Sequence, residues 1–204
     1  MNARARSIVL LVLVTGLALA LSLAWQRATE QPIAEAELQL REQAWLAVLP
    51  AGSYDNQPLH TPLALADTHL GHSRLLAGYR ATLAGQAVAI LLHSQSQGYA
   101  GPIELAIAIA ANGRLLGIQV LQQQESPGLG DQLADPARHW LQQFVGKGLT
   151  DTPAQAWALK RDQGQFDHLA GATVTSRAVI DATQDALRYF DEHRPSLLAA
   201  PADE

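Results

Sequence analysis

The sequence predicts an α+β protein: an N-terminal transmembrane helix, then one domain with an antiparallel sheet flanked by helices. Three observations predict it. The run Ser7–Trp25 carries no charge. As a helix it spans about 28 Å, close to the roughly 30 Å hydrocarbon core of a bilayer. Short apolar segments then alternate with tight-turn residues, Ala84-Gly85-Gln86 and Asn112-Gly113. Finally, Ser176–His193 keeps a helical apolar period.

Composition narrows the function. The chain has 204 residues, 48% hydrophobic and 16% charged, which suits a folded core rather than disorder. Net charge is −5 with no Lys/Arg block, so nucleic acid is not an expected partner. Cysteine is absent. That excludes disulfides, thiolate metal sites, cysteine-ligated iron–sulfur clusters and a cysteine nucleophile.

The elements follow in order. Residues 1–6 hold Arg4 and Arg6 and form a short N-terminus that the positive-inside rule keeps cytoplasmic. Residues 7–25 are the anchor, with Trp25 at the interface. Ala18-Leu19-Ala20 leaves a cleaved signal peptide as the alternative, and either way the remainder is exported. Residues 26–50 are linker and helix: Ala34, Leu38, Trp45 and Leu49 follow a helical pattern, which Pro50 and Gly52 stop. Residues 51–194 form the main domain and 195–204 a flexible Ala/Pro-rich tail.

Within that domain, 51–74 read as loop with one short strand. Strands are expected over Leu75–Leu83, Ala87–Ser94, Ile103–Ile109 and Leu115–Leu121. Gln122–Asp131 is a loop by composition. Pro136–Phe144 reads as a helix with Trp140, Leu141 and Phe144 inward. Trp157–Lys160 reads as a short strand before a turn at Asp162–Gln165.

Chemistry concentrates in two stretches. Gly171-Ala172-Thr173-Val174-Thr175 precedes the long helical pattern. Thr173 or Thr175 can cap that helix. A helix N-terminus also offers free N–H groups and positive dipole to a phosphate, and Thr173 between small residues is open to esterification. The second stretch is Glu125-Ser126-Pro127-Gly128-Leu129-Gly130-Asp131. Gly128 and Gly130 allow close main-chain approach, and Pro127 stiffens the turn. Read alone, it is also an ordinary connection. His69 and His72 form a solvated turn more readily than a ligand pair, with no third ligand near in sequence. His168 adjoins the Gly171-Ala172-Thr173 stretch, Arg177 faces the phosphate, a bound ring or solvent, and Tyr99 is a candidate for stacking or for packing. No nucleotide-binding or hydrolase fingerprint is present.

Together, in this order, the two stretches resemble the FMN-binding domain family. In its attachment motif an Asp, two variable residues and a small residue precede Gly-Ala-Thr, matched here by Asp167-His168-Leu169-Ala170-Gly171-Ala172-Thr173. Ala170 stands where Ser or Thr is common, and Ser126 where the family's loop has Thr. The resemblance implies FMN bound covalently to Thr173 by a phosphoester, installed by a flavin transferase of the ApbE type that recognises Asp167. Gly171, Ala172, Thr175, Glu125, Ser126, Gly128, Leu129 and Gly130 complete the implied cofactor site.

The resemblance extends over residues 7 to about 190. It includes the anchor, Gly98-Tyr99-Ala100-Gly101 and Trp157-Ala158-Leu159-Lys160, and is to the RnfG (RsxG) family of the Rnf (Rsx) electron transport complex. The NqrC component of the sodium-translocating NADH:quinone reductase shares both motifs, and a component of that kind is the alternative within the same class. The implied protein is an electron-transfer subunit of an ion-translocating redox complex in the bacterial inner membrane. It is single-pass, with the main domain periplasmic and other members of the complex as partners. An anchored scaffold without flavin is the alternative from another class.

Overall fold

The computed structural model describes residues 11–22, 24–25, 42–66 and 68–199. The chain divides into two compact units, 1–43 and 44–204. In the first, residues 11–22 and 24–25 are helical with exposed side chains. Thr15 Oγ1 donates to Leu11 O at 2.7 Å, satisfying its hydroxyl within the helix. Among the described residues no helix is long and apolar enough to cross a membrane. Residues 7–10 and 23 of the expected anchor, the linker 26–32 and the start of the helix expected from Ile33 lie outside the described residues.

The second unit is built on a four-stranded antiparallel meander in the order β1 (Ser73–Leu83), β2 (Gln86–Gln97), β3 (Pro102–Ala110), β4 (Leu115–Gln122). Ala84 and Gly85 take φ of 50° and 77°, the left-handed pair that a two-residue hairpin needs. At the β3–β4 hairpin the Arg114 N–H donates to Asn112 Oδ1 at 3.1 Å.

Both faces of this sheet are buried, and β3 records it. Ile103, Leu105, Ile107 and Ile109 join one core cluster, with Val179, Ala182, Ala186 and Phe190 of the C-terminal helix (Thr173–Leu198). Ala106 and Ala108, on the alternate face, join a second cluster with Trp45, Val48 and Leu49. The second cluster therefore recruits Trp45, Val48 and Leu49, upstream of residue 51.

The loop before β1 covers its outer edge. Leu63 N–H donates to Gly78 O and Asp55 N–H to Thr82 O, both at 2.8 Å. The short strand expected in this loop is only two isolated bridges, Pro62 to Tyr79 and His69 to Arg74.

Between β4 and the C-terminal helix the chain makes 3₁₀ turns around buried Phe144, Trp157 and Phe166. The helix expected over Pro136–Phe144 is instead two such turns, Pro136–Arg138 and Trp140–Phe144. His139 at φ 50° separates them and breaks helical hydrogen bonding. Trp140 and Leu141 are half-buried, and Phe144 is buried. The strand expected at Trp157–Lys160 is a single parallel bridge, Leu159 to Phe166.

The C-terminal helix begins at Thr173, earlier than expected, and runs through Pro195 to Leu198. The tail expected to be loose from Pro195 is instead tied down here, with Leu197 buried. Arg80 explains the extension. Its Nε donates to Leu197 O at 2.7 Å and Nη2 to Ser196 O at 3.3 Å, satisfying carbonyls that a helix end leaves orphaned. Residues 200–204 lie outside the described residues.

Candidate functional site

The fold brings the two singled-out stretches together. Glu125, Ser126, Leu129 and Gly130, from the loop after β4, face Gly171, Ala172, Thr173 and Thr175 at the start of the C-terminal helix. Between them is a cleft of about 340 Å³, completed by Tyr99 and Val174. Its rim is apolar and exposed at Tyr99, Leu129 and Val174. A larger polar cleft, about 640 Å³, lies elsewhere, around His69, Asp185 and Arg188.

Thr173 is the first residue of the helix. It is half-buried, and its hydroxyl hydrogen-bonds to no described residue. Ala172 is the N-cap at φ −126°, and no side chain caps the helix. The capping role open to Thr173 and Thr175 is thus taken by neither. The first-turn N–H groups have no intrahelical acceptors, so the cleft floor is suited to an anion.

Thr175 has a different environment. It is fully buried, and its Oγ1 donates to Glu125 Oε2. Glu125 is itself buried, at 7% exposure, and its Oε1 accepts from Ala100 N–H at 3.1 Å. The carboxylate therefore ties together the loop before β3, its own loop and the helix start.

Glu125 also constrains the glycines around it. A Cβ on Gly130 would lie 2.5 Å from Glu125 Oε2, and one on Gly98 would lie 2.3 Å from Oε1. Gly130 excludes a side chain because Glu125 occupies the space, and Gly98 because Glu125 and Ile103 do. Gly128 does not line the cleft. Its φ of 78° shapes the turn, where Gln132 Nε2 donates to Gly128 O and Leu129 N–H to Ser126 O.

Asp167 lies outside the cleft lining, exposed and paired with Lys160 Nζ at 2.7 Å. His168 is exposed. Arg177 turns away from the cleft and donates through Nε and Nη2 to Asp162 Oδ2 at 3.0 and 2.8 Å. His69 and His72 belong to a loop that Asp185 pins by accepting from His72 N–H at 2.7 Å. Sequence reasoning missed Val174. Its signal was an apolar residue off the buried stripe of Val179, Ala182 and Ala186. It also missed Gln143 and Trp140, which hold the Asp167 main chain and carry no local signal.

Known proteins resemble the chain over the region that holds both stretches. The model of the FMN-binding domain family matches residues 98–188. The chain is 46% identical over 176 residues to the G subunit of the ion-translocating oxidoreductase complex from Pseudomonas aeruginosa (strain UCBPP-PA14), covering 85% of this chain and 82% of that protein. It is 39% identical over 187 residues to the protein of the same name from Cereibacter sphaeroides (strain ATCC 17029 / ATH 2.4.9), covering 92% and 83%. The crystal structure of Shewanella oneidensis NqrC aligns with a TM-score of 0.47 at 23% identity, over 59% of this chain and 60% of that one.

Proposed function

The chain belongs to the RnfG family, the G subunits of ion-translocating oxidoreductase complexes, and from that premise we propose that it is an electron-transfer subunit carrying FMN covalently on Thr173. The free Thr173 hydroxyl at an uncapped helix start carries this reading. The neighbouring candidate, Thr175, is fully buried and already bound to Glu125. An enzyme that esterifies a threonine here can reach only the first.

The residues fit the group. The first-turn N–H groups and the helix dipole hold the phosphate end. Leu129, Val174 and Tyr99 offer apolar and aromatic surface to a flat ring. A cleft of about 340 Å³ is near the lower end for a small-molecule site, which suits a cofactor whose ring edge stays open to partners. The flavin supplies the redox chemistry when bound; the protein supplies position and electrostatics. Glu125 keeps the two walls of the cleft in register. Covalent attachment suits an exported domain, where a dissociable cofactor would be diluted away.

The sequence supports the rest of this reading. The run 7–25 anchors the chain once in the bacterial inner membrane, with the N-terminus cytoplasmic and the main domain periplasmic. The partners are the other members of the complex and, during maturation, an ApbE-type flavin transferase for which Asp167 is a recognition residue.

Peptide mass spectrometry on protein from its native membrane tests this. FMN less water is expected on the peptide holding Gly171-Ala172-Thr173. Thr173→Ala should lose the flavin and keep the fold, whereas Thr175→Val should keep the flavin. The latter should cost about 1–3 kcal/mol in a urea melt, because Glu125 loses a hydrogen-bond donor. Covalent flavin persisting in Thr173→Ala would reject the assignment. Unmodified protein from cells that contain the transferase would favour a scaffold.

A further inference from the structure

The segment that leads into the cleft is gripped from behind. Asp167 N–H donates to Gln143 Oε1 at 2.8 Å. Asp167 C=O accepts from Gln143 Nε2 at 3.4 Å and from Trp140 Nε1 at 2.9 Å. Both side chains project from the 3₁₀ turn Trp140–Phe144. That turn is fixed in the core by Phe144, fully buried with its ring 4.7 Å from that of Phe166. One amide side chain thus serves both main-chain polar groups of a single residue.

The effect is on the Asp167 carboxylate. An aspartate in an irregular segment ordinarily accepts from the N–H two residues on. Here that N–H, of Leu169, donates to the buried Ser176 Oγ at 2.9 Å. The Asp167 N–H is already taken by Gln143. With both local donors occupied, the carboxylate projects into solvent and, among the described residues, meets only Lys160, the two side chains being 65% and 60% exposed. An exposed pair of this kind contributes little and is readily exchanged for an incoming partner.

We propose that Gln143, with Trp140, is a positioning residue for flavin attachment: it clamps the Asp167 main chain so that the carboxylate is presented to the flavin transferase. This rests on the reading of Thr173 as the flavin acceptor. A threonine alcohol forms a phosphoester only from an activated phosphate, here the pyrophosphate of a flavin dinucleotide. The Thr173 Oγ–P bond forms as the P–O–P bond breaks. The hydroxyl proton is released to water, and AMP leaves.

The test uses the full chain in detergent micelles with FAD and the transferase, reading covalent flavin fluorescence on denaturing gels. Gln143→Leu should lower kcat/KM for attachment about tenfold, mainly through KM for the chain. Its flavin absorbance once loaded should match the wild type, and its Tm should fall by only a few degrees for the two hydrogen bonds removed. Trp140→Phe keeps the ring against Phe144 and removes only the N–H, so it should give a smaller loss in the same direction. It carries the test if Gln143→Leu fails to fold. Gln142→Leu, on the exposed neighbour, should label at the wild-type rate. Attachment at the wild-type rate in both clamp variants overturns the proposal. So does a shifted flavin spectrum, because the clamp would then act on the cleft. A wild-type chain that takes no flavin overturns the functional reading, and this inference with it.

Discussion

Thr173 and Thr175 are two residues apart in one helical turn, yet only one has a free hydroxyl. Helix geometry turns the second inward, where its hydroxyl donates to Glu125. The Glu125 side chain also accounts for Gly130 and, together with Ile103, for Gly98, since these atoms occupy the space that a Cβ would need. Gly130→Ala should therefore destabilise the fold by about 1–3 kcal/mol, the usual range for overpacking. Adding Glu125→Gly should recover part of that loss, because it removes the Glu125 Cβ, which would lie 2.7 Å from the new methyl, together with the carboxylate. Urea melts of the single and double variants would decide it; no recovery would mean that Gly130 is fixed by something else. The two stretches that hold Glu125, Gly130 and Thr173 were legible as motifs. Which group each one touches was not, because Glu125 and Thr175 are fifty positions apart in sequence.

The C-terminal helix shows how local signals set an element and distant ones set its ends. Its apolar period was legible, and Val179, Ala182, Ala186 and Phe190 are buried as that period requires. Its limits were not. Pro195 reads as a breaker, but it falls in the final turn, and Arg80 of β1 holds the carbonyls of Ser196 and Leu197. Arg80→Ala should fray this last turn and cost about 1–2 kcal/mol. Faster amide exchange confined to residues near 196–198 would show it; unchanged exchange would mean that Leu197 burial suffices. Pro136–Phe144 fails in the opposite direction. Its apolar spacing suits a helix, but His139 adopts a left-handed conformation that splits it into two 3₁₀ turns. That break lets Trp140 and Gln143 reach Asp167.

Across the whole main unit, the sheet is the shared wall of two cores, and its second face holds a titratable pair. His93 Nε2 lies 2.9 Å from Glu104 Oε2, with Trp45 edge-on at 4.8 Å. Burial holds His93 below its ordinary value near 6.5, more strongly than Glu104 raises it. The unfolded chain therefore takes up this proton first as pH falls. The His93 contribution to stability is present above about pH 6.5 and declines below it. Urea melts at pH 7.5 and 5.5 should show a loss that His93→Gln reduces; an equal loss in both proteins would assign it to other groups. The sequence alone determined the α+β class, the hairpin turns, the long helix and the two motifs, because each depends on contacts between near neighbours or on a regular period. Only the tertiary structure decided that Trp45, Val48 and Leu49 complete the domain, that Thr173 rather than Thr175 is open, and that Gln143 grips Asp167. Those outcomes depend on hydrogen bonds and packing between residues far apart in the chain, which no local pattern encodes.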